Sequence, residues 1–251
     1  MKDLSEYHAT DRDALEYQIK VIIFTLGLYA CFAAFAFDVI NVWWMAALSS
    51  VLVTRWMIAF HELLHLRSAD ELDLFTRLLP IPFAPLNIGY REYRNIHGGH
   101  HSDAATERDP DAFHIMGGHL WALLGTVTLH EQQLIRYIRR HGLSHELAVM
   151  AGIRLALFIA LLLIAPKAFL WWWLMLRITY IINDFVFFHL VHYRAGSYGT
   201  FPIPLPRFIL YPLLVIYGID VVYATMHHDI HHEQPMIAAK YLPRVAGQLS
   251  A

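Results

Sequence analysis

Apolar positions in this chain come in blocks that end in charges. Val21 to Phe37 is an uncharged run of 17 residues between Lys20 and Asp38, enough for a short membrane span whose lysine snorkels to the headgroups. After a tight turn at Asp38 to Asn41, Val42 to Phe60 carries one charge, Arg55, near its end, and runs straight into His61. Leu147 to Ile164 and Ala168 to His189 form a second apolar pair, separated by Pro166 and Lys167, which reads as a second helical hairpin. The pattern predicts an all-α integral membrane protein with four transmembrane helices in two hairpins, at about 15–37, 42–60, 147–165 and 168–190. Residues 1–251 then form a single membrane-embedded domain, with a cytoplasmic helical cap over 61–146 and 191–251.

Arg154 and Arg177 interrupt the second pair. Arg177 falls near mid-membrane, where a charge is costly unless paired, and Asp184, seven residues on and on the same helical face, is the nearest candidate. Leu78 to Ile88, Leu120 to Leu129 and Phe208 to Ile219 are too short or too proline-broken to span, and read as segments in or near the interface. The segment His61 to Glu146 holds eight arginines, whereas the turn at Asp38 to Asn41 has none and the other turn only Lys167, so that segment is expected to be cytoplasmic. Trp43, Trp44 and Trp171 to Trp173 fall at the opposite ends of the spans, as an aromatic belt should. Met1 to Glu16 is too charged for a signal peptide and is placed in the cytoplasm.

Composition agrees: 57% of the 251 residues are hydrophobic and 16% charged, against about 25% charged in soluble domains. The formal charge of -2 provides no basic footprint for nucleic acid. The single cysteine, Cys31, allows no intrachain disulfide. The anomaly is 17 histidines.

His61-Glu62-Leu63-Leu64-His65 sets two imidazoles at i and i+4 on a continuing helix, so both point the same way and can hold one metal. His97-Gly98-Gly99-His100-His101 and His228-Asp229-Ile230-His231-His232 share the spacing H-x-x-H-H, with His227 a neighbour of His228 or an alternative to it. In the expected topology all three clusters lie on one side and could converge. They supply eight imidazoles, and His189 or His192 adds a ninth. One zinc needs only three or four ligands, so this set suits two metals, and imidazole is compatible with iron, zinc, copper or nickel. Two metals at a membrane surface suggest dioxygen chemistry, because an unactivated C–H bond yields only to a redox metal or cofactor. His8, His141 and His145 read as solvated, and His114, His119 and His130 lack ligand spacing.

These boxes resemble those of the membrane fatty acid desaturase and hydroxylase family, whose pattern is H-x(3-4)-H, H-x(2-3)-H-H and H-x(2-3)-H-H around a di-iron centre. His100 to Asp111, HHSDAATERDPD, is similar to the family's HH, seven residues, DPD arrangement, and His232 to Pro243, HEQPMIAAKYLP, to its HH-x-x-P…LP ending. His189 to Arg194, HLVHYR, resembles the HLYGYR of acyl-CoA desaturases. The resemblance implies two non-haem irons held by His61, His65, His97, His100, His101, His189, His228, His231 and His232, with O2 as co-substrate and a lipid or fatty acyl chain as substrate. His192 stands where that family has glycine, and Phe185 where it has the asparagine that holds a metal-bound water. Glu62, Asp103, Asp109 and Asp229 are candidates to orient imidazoles by accepting their second N–H. With no haem module or flavin-type glycine motif, electrons are expected from a separate ferredoxin, cytochrome or reductase docking on the cytoplasmic face.

The DPD and the C-terminal pattern favour an acyl-lipid desaturase. HELLHLR also resembles the first box of membrane alkane hydroxylases, and the layout resembles carotenoid ketolases and hydroxylases. His61-Glu62-x-x-His65 is also the zincin motif, in which Glu62 would be the general base of an intramembrane protease. A non-catalytic metal-binding or transport protein is the remaining alternative. The compact length points to a bacterial inner membrane, with the endoplasmic reticulum second.

Overall fold

Thr10 begins the first long helix, its side chain accepting from the Asp13 backbone N–H while Asp13 accepts from the Thr10 N–H, a reciprocal cap. The computed structural model describes residues 4–78 and 84–249. Its helices run in the order α1 Asp11–Ala36, α2 Val42–Leu66, α3 Leu74–Leu78, α4 Tyr90–Asp103, α5 Ala112–Ile115, α6 Gly118–Val127, α7 Leu129–His141, α8 His145–Ile164 and α9 Pro166–Asp184. A π-helical turn, Phe185–Leu190, continues α9 and is followed by a two-stranded ribbon, β1 Tyr193–Arg194 and β2 Ser197–Tyr198. Helices α10 Arg207–Tyr217, α11 Ile219–Met226, α12 His228–Glu233 and α13 Leu242–Leu249 complete the chain. The short ribbon departs from the all-α expectation; Ala195 and Gly196, both at positive φ, make the tight turn that a right-twisted hairpin favours.

Four helices are long and apolar enough to cross a membrane: α1, α2, α8, and α9 with its π-helical extension. Helix α8 buries only Leu147 and Arg154, leaving Leu155, Ile159 and Leu163 exposed. An apolar helix uncovered around most of its girth belongs in hydrocarbon. Helices α1, α8 and α9 start a few residues before their expected spans, where Thr10 and Ser144 cap the first two with side-chain oxygens and Pro166 opens the third at its first position, and α2 starts at Val42 as expected, capped by Asn41.

Polar contacts join the apolar helices. Ser50 Oγ is 2.8 Å from Thr179 Oγ1, and Asn183 Nδ2 donates to Thr54 Oγ1 at 2.7 Å, both between α2 and α9. Trp172, expected in an interfacial belt, is instead buried against Phe32 and Tyr29 of α1, at ring separations of 4.9 and 5.8 Å. Trp43 and Trp44 are exposed. The expected pairing of Arg177 with Asp184 does not form. Seven residues are about 10 Å along a helix axis, too far for an ion pair. Arg177 instead donates to Val127 O at 2.6 Å and Glu131 Oε2 at 2.7 Å, while Asp184 turns to His114. Arg154 donates to the carbonyls of Leu78 and Asn87. Of the expected interfacial stretch Leu78 to Ile88, residues 79–83 lie outside the described residues. Helices α6 and α10 carry the other two, with Leu120, Trp121, Phe208 and Val215 exposed.

Candidate metal centre

Helix α2 does not stop with its apolar run; it continues to Leu66 and carries His61 and His65 beyond it. Carbonyls at its end are engaged by α4: Tyr90 Oη donates to Leu63 O, which also accepts the Arg67 N–H, and to Arg67 O, at 2.8 and 3.0 Å, and Arg94 Nε donates to Leu64 O at 2.8 Å. This fastens α4 against the end of α2, so the first and second boxes face each other. Gly99, inside the second box, lets the following loop close in: a Cβ there would lie 2.9 Å from Pro110 Cγ.

The ring nitrogens of His61, His65, His97, His101 and His231 lie within 4.8 Å of one another, and so do those of His100, His192, His228 and His232. The second group holds its closest nitrogens at 3.2 Å between His228 and His192 and 3.0 Å between His232 and His228; in the first, His97 and His65 are at 3.0 Å. Two nitrogens each about 2.1 Å from one ion, at angles between 90° and tetrahedral, are about 3.0–3.4 Å apart. Nitrogens of His61, His101 and His231 are buried without a hydrogen-bond partner, a costly state unless something else binds there. Burial pushes His97, His228, His231 and His232 well below the usual imidazole range, and His101 and His192 down to about 3. Neutral imidazole is the form that binds a metal. The residues therefore fit two metal ions, five nitrogens toward one and four toward the other.

His189, the ninth ligand implied by resemblance, lies outside both groups, and His192 lies inside the second. The π-helical turn directs His189 toward α5 and α6, where its Nδ1 donates to Ile115 O at 2.7 Å and its Nε2 is 2.8 Å from His119 Nδ1. Phe185 packs on His189 at 5.0 Å. The helix ends at Leu190, and the ribbon folds back so that His192 Nδ1 donates to Gly199 O at 2.9 Å, aiming Nε2 at His228. The turn residues Ala195 and Gly196 were the available sequence signal. His227 is also outside both groups; its carbonyl accepts the His231 N–H at 3.0 Å within the turn that begins α12.

One of the four candidate acids, Asp109, hydrogen-bonds an imidazole, and Glu62 lies beside another without a hydrogen bond to it. Asp109, fully buried, accepts from His100 Nδ1 at 2.8 Å and from Ala105 N at 2.9 Å. Glu62 Oε1 is 3.4 Å from His61 Nδ1, and its Oε2 accepts the Ala239 N–H at 2.8 Å, which ties the C-terminal segment to the first box. Asp103 and Asp229 do neither: Asp103 lines a polar cleft with Arg108 and Arg136, and Asp229 is half-buried on α12 outside both groups. Sequence reasoning missed Asp111 and His114, which are fully buried beside the second group.

An apolar pocket of about 180 Å3 lies between α2, α9, α10 and α11, lined by Thr54, Ile58, Asn183, Phe187, Leu213 and Val222 among others. Phe187 forms its inner wall and touches both histidine groups, 5.1 Å from the His61 ring and 5.0 Å from the His228 ring. No protein-family model, curated protein or solved structure matches the chain.

Proposed function

We propose that this membrane protein oxidises an unactivated C–H bond of a lipid acyl chain with O2 at a two-metal centre, iron being the metal that the chemistry favours. The observation that carries this reading is the pair of histidine groups set against an apolar pocket between the membrane helices. Bound metal would supply the redox chemistry that no side chain here can perform. The first group would hold one ion through His61, His65, His97, His101 and His231, and the second the other through His100, His192, His228 and His232. Asp109 holds the His100 orientation, Glu62 lies beside His61, Phe187 separates chain from ligands, and the apolar walls exclude water from the reacting carbon. Desaturation is the favoured outcome and hydroxylation the second. Electrons come from a separate donor, and the histidine face is the cytoplasmic one.

The zincin reading is weaker because the Glu62 carboxylate is engaged by the Ala239 N–H, and because a single zinc needs only three or four of nine grouped nitrogens. The test is metal analysis of the purified protein with His101→Ala and His231→Ala alongside, followed by mass spectrometry of lipids after O2 and a reductant are supplied. About two irons per chain, falling in both variants, with a lipid product lighter by two hydrogens, is the expected result. A single zinc indifferent to both substitutions would overturn it.

A further inference from the structure

Outside both histidine groups, Asp111 and His114, three residues apart, form a buried cluster with Asp184, 70 residues further on. His114 Nδ1 is 3.0 Å from Asp184 Oδ2, and its Nε2 is 3.4 Å from Asp111 Oδ1. All three side chains are sealed from solvent. A neutral imidazole has one N–H and one lone pair, so between two carboxylates it would set the lone pair against an oxyanion. Nδ1 donates to Asp184 while Nε2 faces Asp111 at ion-pair distance without a hydrogen bond, and a positive ring, the imidazolium, suits a place between two oxyanions. Burial opposes that charge, but the two carboxylates outweigh it and raise His114 to about 10. His130 on α7, His189 on the π-helical turn and His192 beyond it lie close enough to interact electrostatically with the His114 charge, without touching the ring.

This cluster adjoins the second histidine group. Phe188 packs on His100 at 5.5 Å and on His114 at 5.1 Å, and an Asp111 oxygen lies within 4.8 Å of a His100 nitrogen. It also borders an exit. Gln133 Nε2 donates to Asp111 Oδ1 at 2.9 Å, and Gln133, Asp109 and Phe113 line the polar cleft, about 580 Å3, that opens to the surface.

Neutral histidines bring no charge to balance divalent ions. That balance falls to the buried carboxylates around the groups, Glu62, Asp109, Asp111 and Asp184, part of whose charge His114 already cancels. We infer that His114 is a proton-exchange site coupled to the metal centre, protonated between Asp111 and Asp184 while the histidine groups are empty and deprotonated when divalent ions load. On loading, the Nε2–H bond breaks toward Asp111, and the proton passes to solvent in the cleft that Gln133 borders. A divalent charge on the order of 10 Å from the ring, at an effective dielectric near 20, would lower the pH of this release by about two pH units, and two such charges by about four. The inference rests on the metal reading above.

The experiment loads metal-free protein in detergent with Fe2+ under anaerobic conditions at pH 8. Protons released are counted by calorimetry in two buffers of different ionisation enthalpy. The six grouped histidines outside the spans whose titration burial depresses are already neutral there and contribute none. The wild type should release about one proton more than His114→Gln. Asp184→Asn, which removes one flanking carboxylate, should fall to the His114→Gln level, and it carries the comparison if His114→Gln does not fold. Equal proton release in wild type and variants that bind Fe2+ overturns the inference and leaves the metal reading standing. Failure of the wild type to bind Fe2+ overturns the metal reading and, with it, the inference.

Discussion

His100 and His101 are consecutive in the chain and turn their imidazoles into different histidine groups, with ring planes at 80° and centroids 5.8 Å apart. His231 and His232 do the same, at 89° and 6.0 Å. Neighbouring helical residues point about 100° apart, whereas i and i+4 nearly align. Each H-x-x-H-H box therefore sends its outer pair to one group and its middle histidine to the other. The second box gives its pair, His97 and His101, to the first group; the third gives its pair, His228 and His232, to the second. The two boxes are complementary, and neither group is complete without both.

His192 and His189 separate the structure from the family resemblance. His192→Ala removes one of four nitrogens of the second group and should lower metal content from about two toward one per chain, while His189→Ala should retain both. Metal analysis of the two purified variants decides this. The reverse pattern would return His189 to the centre.

Glu62 anchors Ala239 and lies 3.4 Å from the His61 ring nitrogen, close enough to accept its N–H once a metal holds the ring. Glu62→Gln keeps an acceptor for the Ala239 N–H and should weaken metal binding by about tenfold, and Glu62→Ala, which keeps none, by up to about a hundredfold. Competition with a chelator of known affinity measures both. A peptidase activity lost in Glu62→Gln with zinc retained would instead support the protease reading.

Phe187 is the wall between pocket and ligands. Phe187→Ala should cost about 3–5 kcal/mol of stability and admit a chain more deeply, moving the oxidised carbon along the substrate; Phe187→Leu should do so less. Product regiochemistry by mass spectrometry reads the effect. An unchanged position at full metal content would remove the pocket from the reaction.

The His114 cluster has its own pH signature. Its folded value of about 10 lies above the ordinary 6.5, so its stabilising contribution is complete below about 6.5 and is lost as pH rises through about 10. The melting temperature of metal-free protein should fall between pH 7.5 and 10, and fall less in His114→Gln. Parallel melting curves of the two proteins across that range would show that His114 holds no such charge.

The four spans and the i, i+4 pairing inside each histidine box were legible in the sequence because both are local: hydropathy is a property of a run, and helical phase follows from spacing alone. His61 and His65 had to share a face wherever α2 went. Three features needed the tertiary structure. His192 rather than His189 joins the second histidine group because a π-helical turn breaks the helical phase and a hairpin folds the chain back, neither of which residue spacing encodes. Arg177 finds Glu131, 46 residues away, and His114 finds Asp184, 70 residues away. Spacing tells which way a side chain points from its own helix. What waits there is decided by how distant helices pack, and this made His114, set aside in the sequence for lack of ligand spacing, the partner of two buried carboxylates.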